Sequence, residues 1–132
     1  PVMMEGALKM KEISYIHAEA YAAGELKHGP FALLSPETPA IAICIPGPAY
    51  EVMLGNMKEM KARGTPIIAL GNDDDEDVRE IADVIVPVPK GHPWTQVLTT
   101  TVLLQLLAYH TANRLGREID MPRNLAKSVT VE

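Results

Sequence analysis

The chain has 132 residues, 47% of them apolar and 22% charged, with a formal net charge of −5. That is one domain's worth of ordinary globular chain, and it argues against disorder. The acidic balance argues against a general nucleic-acid binder.

From Val2 to about Ser14 the spacing predicts a helix. Val2, Gly6, Met10 and Ile13 recur at offsets that share one face. Tyr15 to Ala22 opens with aromatic and β-branched residues, which gives the expectation of a short strand. Ala23 to Leu34 reads as a second helix, broken or kinked at Pro30. Pro39 to Ile45 is an apolar run closed by P-G-P, the mark of a buried parallel strand.

Ala49 to Arg63 reads as an amphipathic helix with Val52, Met53, Met57 and Met60 on its packed side, ended by Gly64. Thr65 to Leu70 is a second strand. A turn over the acidic run Asp73 to Asp77 leads into a short helix at Asp77 to Ala82. Asp83 to Val88 is a third strand. Trp94 to Leu115 is a long helix. Its polar residues break the apolar stretch well short of a membrane span, so it reads as a buried core helix. A tail runs from Glu118 to Glu132. Strands alternating with helices mean an α/β fold with a mostly parallel sheet.

The single cysteine, Cys44, sits in the first predicted strand, so an internal disulfide is ruled out and a small buried residue is expected. A reduced, cytoplasmic compartment fits. The histidines show no metal-ligand spacing with one another or with Cys44, so no metal site is expected. The D-D-D-E-D run lacks calcium-loop spacing and reads as a solvated loop. Phosphate-binding glycine loops and the hydrolase elbow are absent too. On the first helix, Glu5, Lys9 and Glu12 lie on one face. Two readings are open there: a solvated charge ladder, or a carboxylate held beside a cation, as a proton-shuttling base requires. His28, in L-K-H-G-P, precedes a rigid turn that would aim its ring outward.

Three segments carry a resemblance. E-G-A-L-K-M-K-E-I-S-Y-I-H-A-E-A-Y-A-A-G-E-L-K-H-G-P (Glu5 to Pro30), L-Q-L-L-A-Y-H (Leu104 to His110) and P-R-N-L-A-K-S-V-T-V-E (Pro122 to Glu132) closely resemble the second sugar isomerase (SIS) domain of the glutamine–fructose-6-phosphate aminotransferase family. The resemblance implies a three-layer αβα SIS-type domain over residues 1–132. It implies a domain lacking its first strand, with a gap in the sheet where that strand would lie. The start at Pro1, inside a predicted helix, gives the same expectation of a truncated piece of a larger enzyme.

The implied reaction joins fructose 6-phosphate and glutamine-derived ammonia into glucosamine 6-phosphate. Glu12 matches the glutamate that moves a proton between carbons 1 and 2. Lys9 matches a lysine of the same cluster. His28 matches the histidine of ring opening, contributed across a dimer interface. Lys127 matches the Schiff-base lysine, and Ala126 a backbone contact to the sugar. No cofactor is implied. The implied partners are a glutaminase domain and a first SIS domain of the same enzyme, in a homodimer, with no membrane. The family's Ser/Thr-rich phosphate loop belongs to that first domain, so the piece alone is expected to be inactive. The alternatives are a phosphosugar-binding module without chemistry, or another SIS isomerase or deglycase of amino sugars.

Overall fold

In a computed structural model that describes residues 1–126, the apolar runs become three strands: β1 (Ala40–Cys44), β2 (Ile67–Gly71) and β3 (Val84–Pro87). They form one parallel sheet in the order β1-β2-β3, with Ala40 opposite Ile67 and Ile68 opposite Val84. The helices are α1 (Val2–Lys9), α2 (Tyr50–Lys61), α3 (Glu76–Ile81) and α4 (Pro93–Arg114). Each sheet crossover therefore returns to the neighbouring position, β1–α2–β2 and then β2–α3–β3. The expected gap between strands does not occur among the described residues, because neighbours in sequence are neighbours in the sheet.

The chain divides into two compact units, Tyr21–Thr100 and Pro1–Ala20 with Thr101–Glu132. In the first, strand alternation puts Ala42, Cys44, Ile67 and Ala69 on one face of the sheet. They are buried there with Leu54, Met57 and Met60 of α2 and Val78 and Ile81 of α3. Small residues on β1 leave room for long methionines from α2, which fill irregular space well. Fully burying a side chain such as Met57 stabilises by about 1.5–3 kcal/mol. Val52, expected on the packed side of α2, is instead 63% exposed, and Leu54 takes that place. The packed stripe is thus displaced around the helix axis.

Two further expectations are corrected in this part of the chain. Tyr15 to Ala22 holds no strand. The helix expected over Ala23 to Leu34 is two 3₁₀ turns, Ala23–His28 and Pro30–Leu33. They are separated by Gly29 at φ 143°, a conformation that resists any residue with a Cβ.

In the second unit α1 meets α4. A Cβ at Gly6 would stand 2.8 Å from Leu104 Cδ1 and 3.0 Å from Leu104 Cβ, so the glycine sets the closeness of the two helices. Helix α4 departs from the expectation of a fully buried helix. Its buried positions are Gln96, Thr100, Leu104, Ala108 and Ala112, one every four residues. Trp94, Leu98, Val102, Leu106 and Tyr109 remain exposed, Trp94 at 75%. Thr100, Ala108 and Ala112 in this row are small enough to permit close approach. The Thr100 hydroxyl is accommodated by donating to the Gln96 carbonyl at 2.7 Å. Among the described residues no helix is long and apolar enough to cross a membrane.

Candidate functional site

Glu12 sits on an unusual element. Helix α1 continues without a break into a π-helical turn, Met10–Ser14. Such turns are rare and gather at functional sites, because the extra residue per turn re-aims the side chains it carries. The helix predicted to Ser14 is therefore present in extent, with a wider last turn. Buried Ser14 supports that turn by donating its hydroxyl to the Met10 carbonyl at 2.6 Å.

Lys9 donates to Glu12 Oε2 at 2.7 Å and lies 3.8 Å from Glu5 Oε1. Both open readings of this face describe the same three groups, but they are not evenly spaced around the cation. Lys9 belongs mainly to Glu12. Their side chains are about one-third exposed, 33% and 29%, so water screens the pair only in part. The hydrogen bond to Glu12 raises the Lys9 pKa above the ordinary lysine value. Partial burial opposes the shift, and the Glu12 and Glu5 charges reinforce it. Lys9 is thus an ammonium at neutral pH. It can orient a carboxylate but cannot act as the free amine that a Schiff base needs.

The chain leaves the π turn at Tyr15, whose φ of 64° and ψ of 17° are left-handed. A tyrosine in that region costs about 1–2 kcal/mol against right-handed backbone. Contacts from the far end of the sequence hold it there. The Tyr15 hydroxyl accepts a hydrogen bond from the Arg123 backbone N–H at 2.9 Å. The Arg123 guanidinium lies 4.2 Å from the ring centroid, and that of Arg117 lies 5.4 Å away. Each such contact contributes about 0.5–1 kcal/mol when exposed. Asn124 comes next at φ 63°, a left-handed turn that asparagine tolerates better than most residues.

These segments enclose an open cleft of about 240 Å³ lined by Lys11, Glu12, Tyr15, Arg123, Asn124 and Leu125. Lys11 is anchored through the Ala18 carbonyl at 2.9 Å. The cleft therefore brings a carboxylate, an aromatic ring and two cationic residues together on a mostly apolar lining. A carboxylate so placed can exchange a proton with a bound group.

Of the residues singled out from sequence, Glu12 and Lys9 are brought together. Ala126 is exposed at the end of the described tail, next to the cleft-lining Leu125 in sequence. Lys127 lies outside the described residues. His28 belongs to the other unit, where it ends the first 3₁₀ turn with its ring exposed and Nε2 3.9 Å from Glu25 Oε2. Sequence reasoning misses Tyr15, Arg123 and Asn124. The aromatic and β-branched neighbours of Tyr15 point to a strand instead of a site. Only the turn-forming P-R-N hints at the bend in the tail.

A second polar cluster marks the carboxyl ends of β1 and β2. The Tyr50 hydroxyl donates to both Asp75 oxygens at 2.8 Å, and Asp75 caps α3 by accepting from the Val78 N–H at 3.1 Å. Burial, with Asp75 and Glu51 nearby, pushes the Cys44 thiol up to about 11. A thiol so protonated at neutral pH is a packing group, as the sequence implies.

Comparison with known proteins agrees with this architecture. The glutamine–fructose-6-phosphate aminotransferase [isomerizing] of Thermus thermophilus is 52% identical over 132 residues, all of this chain and 22% of the relative. That of Methanosarcina acetivorans is 54% identical over 132 residues, again all of this chain and 21% of the relative. The chain thus spans about a fifth of the length of these relatives.

Among solved structures, the C-terminal domain of glucosamine-fructose-6-phosphate aminotransferase from Francisella tularensis superposes with a TM-score of 0.82 at 40% identity, over 92% of this chain and 34% of that one. A glucosamine-6-phosphate deaminase from Thermotoga maritima superposes with a TM-score of 0.72 at 29% identity, over 97% of this chain and 36% of that one. The sequence profile of the SIS domain matches residues 2–113. With a parallel sheet flanked by helices and a match over most of its length, the chain belongs to the SIS domain family.

Proposed function

We propose that this chain is the second SIS domain of a glutamine–fructose-6-phosphate aminotransferase and carries the isomerase chemistry that makes glucosamine 6-phosphate. The observation that carries the reading is Glu12, held by Lys9 on a π turn at the wall of an open cleft that Arg123 to Leu125 of the tail also line. The relatives at 52% and 54% identity support it.

In this reading His28, reached across a homodimer interface, assists opening of the fructose ring. The Lys127 amine attacks the carbon 2 carbonyl, and water leaves as the Schiff base forms. Ammonia released from glutamine by a separate domain then takes the place of the lysine at carbon 2. Glu12 removes a proton from carbon 1 and returns one to carbon 2, leaving the aldehyde of glucosamine 6-phosphate. Lys9 keeps the Glu12 carboxylate aimed, and the Ala126 backbone contacts the sugar. Lys9, held as an ammonium, is unsuited to the amine's role, which supports giving that role to Lys127. The remaining domains, the first SIS domain with its phosphate loop included, lie in the larger protein, and the chain alone does not turn over substrate. A reduced cytoplasmic setting suits the lone buried Cys44.

The test uses the full-length enzyme containing this segment. Incubated with fructose 6-phosphate and borohydride, it should carry a reduced sugar adduct on Lys127, read by mass spectrometry. Glu12→Gln should lower the isomerisation rate about 10²–10⁴-fold while sugar binding persists. An adduct on another lysine, or a Glu12→Gln enzyme with full rate, overturns the assignment. The likeness to the Thermotoga deaminase supports a second reading, an amino-sugar deaminase. Release of ammonia from glucosamine 6-phosphate, with no synthesis from glutamine, would select it.

A further inference from the structure

The turn that carries Glu12 ends on Ser14, which is fully buried. Its hydroxyl bonds in both directions. It donates to the Met10 carbonyl at 2.6 Å, where the π turn begins, and accepts from the Ile16 N–H at 3.3 Å, just beyond the turn. The span between those two anchors holds Glu12 and the left-handed Tyr15. Glu12 and Tyr15 line the cleft, whereas Ser14 is not among its lining residues. Any effect of Ser14 on the cleft therefore passes through the turn.

We propose that Ser14 is a positioning residue: its hydroxyl holds Met10–Ser14 in the wide winding and so sets where the Glu12 carboxylate points. The proposal rests on the reading of Glu12 as the base that moves the sugar proton. In an α-helix the Met10 carbonyl would receive the Ser14 backbone N–H, four residues on. A serine hydroxyl bonded back to that carbonyl competes with the amide and loosens α-helical winding. The second bond, to Ile16, pins the backbone on the far side of Tyr15, so the turn cannot rewind without breaking it. Removing the hydroxyl takes a partner from both the Met10 carbonyl and the Ile16 N–H. Relaxation toward α-helical winding would then turn Glu12 relative to Lys9, whose ammonium it meets at 2.7 Å.

The test uses the full-length enzyme containing this segment, as wild type and with Ser14→Ala, Ser14→Thr or Ser14→Val. Ser14→Ala removes the hydroxyl and adds no volume. The threonine and valine variants add the same methyl group and differ in the hydroxyl, so comparing them cancels overpacking. The first readout is kcat and KM for conversion of fructose 6-phosphate. The second is the pH at which Lys9 is half-modified by an acylating reagent, since the bond to Glu12 is the main cause of its raised pKa. In Ser14→Ala, kcat should fall about 10²-fold, as for misplaced reacting groups, with KM within about twofold. Lys9 should then react at lower pH, with Glu5 at 3.8 Å keeping part of the shift. Ser14→Thr should retain about tenfold more kcat than Ser14→Val, the worth of a buried hydrogen bond.

Wild-type kcat in Ser14→Ala, or Lys9 reacting there at the wild-type pH, overturns the positioning role. Equal kcat in Ser14→Thr and Ser14→Val overturns it too, since the effect then belongs to volume and not to the hydroxyl. A rise in KM with kcat preserved does the same, because that pattern marks a lost sugar contact. If Lys9 responds to Ser14→Ala while a Glu12→Gln enzyme keeps full rate, the reading of Glu12 as the base is what fails. The catalytic purpose of Ser14 then falls with it.

Discussion

Gly71 and Gly55 show how the surroundings of one residue type decide the sign of a substitution. Gly71 ends β2 opposite Cys44, and a Cβ there would stand 2.6 Å from the Cys44 carbonyl oxygen. Backbone cannot swing aside as a side-chain tip can, so Gly71→Ala should destabilise by about 2–3 kcal/mol through overpacking. Gly55 lies within α2 with nothing within 4 Å of the same ideal atom. Gly55→Ala should stabilise by about 1 kcal/mol from helix propensity. Urea unfolding midpoints of the two variants, moving in opposite directions, are the check. Neither effect is written in the sequence, because both glycines look like ordinary breakers within a run. A contact to another strand distinguishes them. Glu12 and Lys9 are legible because helical spacing alone brings positions 9 and 12 together. Tyr15 is not, since its partner stands more than a hundred positions away.

Short elements in this chain depend on their ends. Helix α3 has six residues, Glu76–Ile81, too few to be stable by propensity. Its N-terminus is held by Asp75, which also receives the Tyr50 hydroxyl from the start of α2. Asp75→Ala should therefore cost about 1–2 kcal/mol, the range of a lost N-cap, and Tyr50→Phe less, about 0.5–1 kcal/mol. Chemical denaturation of the two single variants and the double variant measures how far the losses overlap.

The order of these elements is readable because strand and helix periodicity differ and because Gly64 closes α2 at φ 80° as expected. The region from Ala23 to Leu33 misleads for a physical reason. Its composition suits a helix, but Gly29 and Pro30 interrupt it before a second full turn can propagate. The π turn leaves no signal at all, since its residues Met10–Ser14 would also suit an α-helix.

For the whole chain the informative surface is α4. A row of Trp94, Leu98, Val102 and Leu106 is exposed along the helix while its buried row includes Gln96 and Thr100. Composition suggests the opposite, because hydropathy reports how apolar a helix is and not which side its neighbours occupy. Exposed apolar rows of this kind attract hydrophobic dyes. Leu98→Lys with Val102→Lys should lower dye fluorescence of the chain while changing stability by no more than about 0.5 kcal/mol. A large loss of stability would show that those side chains are packed.

The π turn has a consequence for how this chain tolerates change in length. Surface loops accept an added or deleted residue with little effect, but the Met10–Ser14 segment is itself the equivalent of an insertion held in a helix. Removing one of its residues would let the segment wind as an α-helix with the residues beyond it near their present face, because the wide turn already absorbs the extra one. Adding a residue would instead turn everything beyond it by about 100°. The aromatic ring that anchors the far end of the sequence would then face away from it, so this segment tolerates shortening better than lengthening.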